Sequence, residues 1–405
     1  MNPFVVTALL VVIFYVLIPG IGAFNVRSQW RRFRMRIRES SFYPHLTYRA
    51  MHNNNPDGAE GYIGHFRFLG MLEAIQGERV WLKNDTVTVS ADLTDCSVHV
   101  LPAFSHAEKE VTVELNRELL QDEAPQKISW NRIFSLPEGT KIFVSGPLRE
   151  SGGQRIFKSE KGDPLTVVIY DGPEKTLLRR AIWAGRQKNE YWNNFTPGSI
   201  TAGSFGSFIH AYTLFRDPLL RFPAFVGLIA SLLPVLVVLP PGVLFFFLYR
   251  RLWNRGRFLR AERDLLSLPL RFFHDTAHAS YAEVVLADGE PYALKKVSGL
   301  HNHPFDFCLG NAKIRTSSLL EWSEIEATGE YYIFGRPAEG KEGGKLSAPH
   351  DPFAEFIIIP GNPALLSSEC AKRAHLFELA AGLTFAVGLL GNIALAFLVF
   401  TTLIK

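Results

Sequence analysis

Three stretches of the chain carry no formal charge: residues 1–26, Phe222–Tyr249 and Leu379–Ile404. Each exceeds the roughly 20 apolar residues that a helix needs to cross a bilayer. The fold must therefore place three segments in hydrocarbon, and what lies between them divides into two polar blocks. The first two stretches are each followed by six arginines, Arg27, Arg31, Arg32, Arg34, Arg36 and Arg38, then Arg250, Arg251, Arg255, Arg257, Arg260 and Arg263. These are the candidate membrane-surface residues.

The basic clusters argue topology. Cytoplasmic flanks of membrane helices carry an excess of Lys and Arg. If every apolar stretch crossed once, the two blocks would face opposite sides and one cluster would break that rule. Pro234 and the run Pro240-Pro241-Gly242 interrupt the middle stretch. Proline cannot continue a helical hydrogen-bond ladder. A hairpin entering and leaving by one face would keep both clusters cytoplasmic, each arm reaching roughly 20 Å at about 1.5 Å per residue. The plainer alternative is one proline-kinked span. Small residues at Ala380, Thr384 and Gly388 would let helices approach closely in the last segment.

Net charge is a mild +4, much of it beside the apolar segments, which fits a membrane surface rather than a nucleic acid. Three separated cysteines, Cys96, Cys308 and Cys370, cannot build a disulfide framework, and they exclude a RING or zinc ribbon. The start Met1-Asn2-Pro3-Phe4 lacks a basic n-region, so an uncleaved anchor is expected over a secretion signal.

The second halves of the two blocks resemble each other. Glu138-Gly139-Thr140-Lys141-Ile142-Phe143-Val144 parallels Thr328-Gly329-Glu330-Tyr331-Tyr332-Ile333-Phe334. Both continue through Gly-Gly (152–153; 343–344) to Asp-Pro (Asp163-Pro164; Asp351-Pro352), then an apolar strand closed by Gly172 or Gly361. Short Val/Ile/Phe/Thr-rich runs between turn residues predict strands at Phe66–Ile75, Arg79–Lys83, Thr86–Ala91, Ser97–Leu101, Lys141–Ser145 and Leu165–Tyr170. Thr176–Trp192 is expected to be an amphipathic helix. The fold class is thus an integral membrane protein with two β-rich domains, OB-like barrel or sandwich, from an internal duplication. The expected organisation is an anchor over 1–26, a β-rich domain over 27–193, a linker over 194–221, the proline-broken segment over 222–249, a second β-rich domain over 250–375 and a membrane helix over 376–405.

Residues 320–404, with the run Gly329-Glu330-Tyr331-Tyr332-Ile333-Phe334-Gly335-Arg336-Pro337 and then Phe356-Ile357-Ile358-Ile359-Pro360-Gly361-Asn362-Pro363 before the last apolar stretch, resemble the membrane-abutting domain of GIDE/BAM-type mitochondrial ubiquitin ligases and their bacterial relatives. Residues 128–190 do so more faintly. The ligases end in a RING that this sequence lacks. The resemblance therefore implies a β domain that binds at a bilayer surface and does not imply ligase activity.

Catalytic motifs are incomplete. Ala282–Leu286 and Tyr292–Val297 imitate a kinase lysine hairpin, but no catalytic-loop or Asp-Phe-Gly motif follows. His274 and His278 stand one helical turn apart, and His301 and His303 share one side of an extended segment, with Asp275, Asp306 and Cys308 near. They are metal-ligand candidates whose spacing matches no zincin, because Asp275 stands where that motif needs Glu. The expectation is a non-enzymatic scaffold, assembly or binding protein of a bacterial inner membrane, multi-pass, with its soluble domains cytoplasmic. It has no catalytic residues and no cofactor. Its partners are the bilayer and a protein or oligomer in the membrane, not nucleic acid. The alternative is a metal-dependent membrane hydrolase using the four histidines. A transporter is disfavoured because no ionisable residue interrupts the apolar stretches.

Overall fold

The structure is a computed structural model. It describes residues 2–53, 61–85, 87–103, 113–114, 123–133, 135–188, 190–237, 239–273, 280–286, 288–298, 312–319, 329–338 and 346–404. These fall into a helical unit, Met1–Arg31 with Asn189–Leu259 and Ala371–Lys405, and a β unit, Arg32–Lys188 with Arg260–Cys370. Three helical segments are long and apolar enough to cross a membrane: Pro3–Ser40, Pro218–Leu236 and Pro363–Thr402.

The helical unit is built from α1 (Pro3–Ser40), α4 (Thr196–Leu214), α5 (Arg221–Leu236), α6 (Gly242–Leu266) and α7 (Pro363–Ile404), each up to its unit boundary. Two short helices, α2 (Tyr48–Asn53) and α3 (Leu177–Gln187), belong to the β unit. Helix α4 fills the stretch expected to be a linker. It runs antiparallel to α1: Ser199 Oγ donates to the Phe14 carbonyl at 2.6 Å, and His210 Nε2 lies 3.3 Å from the Pro3 carbonyl. Ser199, Gly203, Ser207 and Ala211 are all buried, one small residue every fourth position, the spacing that lets membrane helices touch backbone to backbone.

Helices α5 and α6 do not form the expected hairpin. Phe222 meets Phe397, while Phe245 lies against Gly388, so α5 and α6 run on in one sense, antiparallel to α7. Phe4 also meets Phe222. A proline break frees carbonyls but does not by itself reverse a chain, and here other helices supply the missing donors. Pro19 has no N–H to continue the wide turn at Val12–Leu17, and the carbonyls of Phe14 and Tyr15 before it accept from Ser199 Oγ at 2.6 Å and Tyr191 Oη at 3.0 Å. Pro234 strands the Ala230 carbonyl, which accepts from Tyr15 Oη at 3.2 Å. Pro240 and Pro241 strand carbonyls of the last turn of α5. There Asn392 of α7, only 3% exposed, donates to the carbonyls of Leu236 and, at 3.0 Å, Leu239.

In the β unit, the first sheet comprises β1 (Tyr62–Gln76), β2 (Arg79–Lys83), β3 (Thr88–Asp92), β4 (Ser97–Val100), β6 (Gln126–Ser129), β7 (Lys141–Ser151), β8 (Gln154–Lys158) and β9 (Thr166–Tyr170). Five strands close on themselves in the order β1-β2-β3-β8-β7-β1, with β3 and β8 parallel and every other pair antiparallel. Alternation fills the interior: Val80, Leu82, Val89, Ala91, Ile142 and Val144 are 0–1% exposed and share one core. Gly152 and Gly153, at φ +61° and +74°, make the two-residue turn between β7 and β8, where both central residues need positive φ. From β7 the sheet continues through β9 and β4 to β6.

The second sheet has β10 (Tyr281–Val285), β11 (Pro291–Ser298), β12 (Lys313–Arg315), β13 (Glu330–Pro337), β14 (Leu346–Ser347) and β15 (Ile357–Pro360). Its order is β10-β11-β13-β15-β12, with β5 (Val113–Glu114) added beside β12 and β14 on β13. Four strands match the first sheet in chain order and in sense. β12 runs parallel to β15, which is antiparallel to β13, itself antiparallel to β11, as β4, β9, β7 and β1 do. Register matches too. Ile142 faces Ile169 and Phe143 faces Val168; Tyr332 faces Ile359 and Ile333 faces Ile358, the same step along the chain in both strands.

The two sheets share one compact unit because a buried contact joins them. Arg67 of β1 pairs with Asp351 at 2.6 Å, each side chain 2% exposed. The Arg67 guanidinium lies 4.6 Å from the centre of the Phe353 ring, and that ring meets Phe143 of β7 edge-on at 5.3 Å. Arg271 completes the joint, donating to Ser41 Oγ at 2.9 Å and to the Phe353 carbonyl at 2.6 Å. Burial pulls the Arg271 guanidinium down to about 10.

Candidate functional site

The two arginine clusters are not uniform belts. Arg27, Arg31, Arg32, Arg38, Arg250 and Arg251 are exposed, whereas Arg34, Arg36, Arg255, Arg257, Arg260 and Arg263 are half-buried. Several of the latter serve the fold: Arg34 donates to the Gly185 carbonyl at 2.5 Å, Arg257 to Asn254 at 2.6 Å, and Arg263 pairs with Asp264 at 2.6 Å. The reason is helical period. Trp30, Phe33 and Ile37 are 4%, 3% and 0% exposed and share one face of α1, while Met35 on the other face is 48% exposed.

His274, His278, His301 and His303 lie outside the described residues, as do Asp275, Asp306 and Cys308. Among the described residues no group of three or more His, Cys, Asp or Glu is placed to hold a metal ion. The kinase-like segment is an antiparallel hairpin of β10 and β11, in which Lys296 pairs with Glu330 at 2.9 Å. Cys96 and Cys370 are buried, and burial pushes the Cys96 thiol up to about 11, which leaves it a poor nucleophile at neutral pH.

Sequence reasoning did not anticipate a cleft on the outside of the closed barrel. Its volume is 390 Å³, and Met51, Trp81, Thr88, Ser90, Glu150, Gly153, Gln154 and Arg155 line it. Val80 and Leu82 point inward, so Trp81 between them points out, opposite Ser90 of β3. Glu150 and Arg155 face each other across the β7–β8 hairpin. Arg155 also donates to the Ala50 carbonyl at 3.3 Å, which ties α2 to the rim. The signal was present in Arg79–Lys83: a tryptophan on the polar face of an alternating strand has no core to fill.

A second polar cluster lies beside Arg67. His65 joins Tyr62 Oη to Asp163, with Tyr62 Oη 2.6 Å from Nδ1 and the Asp163 carboxylate on Nε2. The aspartates of both Asp-Pro pairs thus meet β1, at His65 and at Arg67, two residues apart on one strand face. Comparison of the chain with family models, curated proteins and solved structures finds no match.

Proposed function

We propose that the chain is a non-enzymatic, multi-pass protein of a cytoplasmic membrane whose β unit acts as a binding or assembly platform at the bilayer surface. One observation carries the reading. Both β sheets belong to a single compact unit, joined through the buried Arg67–Asp351 pair. A folded unit of that kind occupies one aqueous compartment, because hydrocarbon cannot solvate loops and open sheet edges. An even number of crossings must then separate the two lobes; the α5–α6 segment supplies one, and we take α4, which is 19 residues long but is not one of the three strongly apolar helices, as the other. At about 1.5 Å per residue α4 reaches about 28 Å, close to the thickness of a bilayer core. Both arginine clusters then flank crossings on the side of the β unit, which makes that side cytoplasmic.

The same reading makes the whole chain a duplication: an arginine-flanked helix entering, a β lobe, and a helix leaving, twice over. The shared strand order and register of the two sheets support it. The ring β1-β2-β3-β8-β7 supports an OB-like barrel for the first lobe, in keeping with a domain of the GIDE type. Placement in a bacterial inner membrane, and a protein partner or a second copy within it, belong to the same proposal.

Single cysteines at Glu78 and Asp288, one exposed site in each lobe, and at Leu219, 89% exposed between α4 and α5, test it. Intact cells treated with an impermeant maleimide should label Leu219→Cys and spare Glu78→Cys and Asp288→Cys until the membrane is opened. Labelling of one lobe but not the other refutes the single-compartment platform.

A further inference from the structure

We propose that the cleft on the first barrel is a binding site for a neutral sugar, one or two rings in size. At 390 Å³ it lies near the lower end of the range for small-molecule pockets, about 300–1,000 Å³, so it suits a short ligand rather than a polymer. The wall is an aromatic face: Trp81 is half-buried, and its indole is not needed by the barrel core. Such a face takes the C–H side of a pyranose by apolar contact while leaving the ring hydroxyls free to pair elsewhere.

The remaining polar lining matches hydroxyls. Thr88 and Gln154 are exposed at the edge, and among the described residues the buried Ser90 hydroxyl has only a 3.5 Å approach to the Arg155 carbonyl. A carboxylate, an amide and a guanidinium together offer paired acceptors and donors, which is what vicinal hydroxyls require. Charge decides against nucleic acid. Glu150 and Arg155 cancel across the hairpin, and phosphate binding depends on uncompensated Lys and Arg. Gly153 leaves the rim open, since a Cβ there would meet nothing within 4 Å.

The test uses the full chain in lipid nanodiscs, free of glycoside detergents, with maltose, cellobiose and N,N′-diacetylchitobiose as probes and ADP as the charged comparison. Saturation-transfer NMR should detect at least one disaccharide. Trp81→Ala should weaken it about tenfold or more, because the indole supplies most of the apolar contact area. Trp81→Phe should retain most of the binding. Gln154→Ala, at an exposed position that the fold does not need, should weaken it independently and so guards against a Trp81→Ala variant that fails to fold. Absence of binding to every disaccharide, binding that both alanine variants leave unchanged, or binding of ADP alone would each overturn the assignment. None of these results bears on the membrane topology proposed above.

Discussion

Replacing Asp351 by Asn removes one charge from the joint between the lobes while keeping the shape of the side chain. The carboxylate also accepts the Phe353 N–H at 2.8 Å, and an Asn oxygen can keep that bond. What is lost is the anion beside a guanidinium that is 2% exposed. Taking one partner from a buried ion pair typically costs about 3–5 kcal/mol, because the other charge stays desolvated and unpaired. The upper half of that range is expected here. Among the described residues Arg67 Nε and Nη1 already lack hydrogen-bond partners, so the Asp351 pair and the Phe353 ring are its compensation. The pair itself is not intrinsically stabilising, since apolar residues of similar volume often replace such pairs at little cost. Arg67→Met combined with Asp351→Asn should therefore lie within about 2 kcal/mol of the parent, far less than the two single losses added. Guanidinium titration of the solubilised protein, followed by circular dichroism, reads both values. A loss under about 1 kcal/mol for Asp351→Asn, or simple additivity in the double variant, would show that the joint is not an obligate charge pair.

Two further outcomes are expected. Asn392→Leu leaves the Leu236 carbonyl, already deprived of a donor by Pro240, with only the 3.4 Å contact from Leu239 N among the described residues; it should destabilise the helical unit by about 0.5–2 kcal/mol in a detergent unfolding titration. His99, stacked on Phe33 at 4.2 Å, is held down to about 4, first by burial and then by Lys127. Its folded value lies below its ordinary 6.5, so between those values the unfolded chain binds the extra proton. Stability should then fall as pH drops from about 6.5 towards 4, by at most about 1.4 kcal/mol per pH unit, and His99→Phe should flatten that slope in guanidinium titrations at pH 7 and 5.

Much of the β architecture is legible from local pattern because its strands are bounded by turns and alternate cleanly. Arg79–Lys83 and the start of β7 at Lys141 fall where alternation places them. The strand that closes the barrel does not. Gln154–Lys158 has only Ile156 and Phe157 as apolar residues, too short a run to stand out. The Gly152-Gly153 turn pairs it with β7, but its other partner, β3, pairs in parallel from more than 60 residues away and closes the barrel, and no local period encodes that. Helix α4 was hidden for a different reason. Gly198, Gly203 and Gly206 among serines read as a linker in water, but in a bilayer the same small residues are a packing surface. The arginine runs show a third kind of miss: composition announced a basic flank, while helical period turned half of it partly inward, with Arg34 on the Gly185 carbonyl.

The prolines tie the helical unit into one order. Each break in an apolar helix strands a carbonyl, and in a bilayer no water can take it. The donor for α1 comes from Tyr191, just before α4; the donor for α5 comes from Tyr15 of α1; the donor after Pro240 comes from Asn392 of α7. Tyr15 is the pivot, since its own carbonyl is the one accepting from Tyr191, while its hydroxyl serves Ala230 and lies 2.9 Å from Ser204 of α4. Sliding α1 by one turn, about 5.4 Å, would break the bonds to Tyr191, Ala230 and Ser204 together, and sliding α7 would break those of Asn392. On the duplication reading, the two halves of the chain are therefore interdependent. The first half supplies the Tyr15 hydroxyl that completes α5 of the second. Neither half should form a stable bundle when expressed alone, and co-expression of both should restore one.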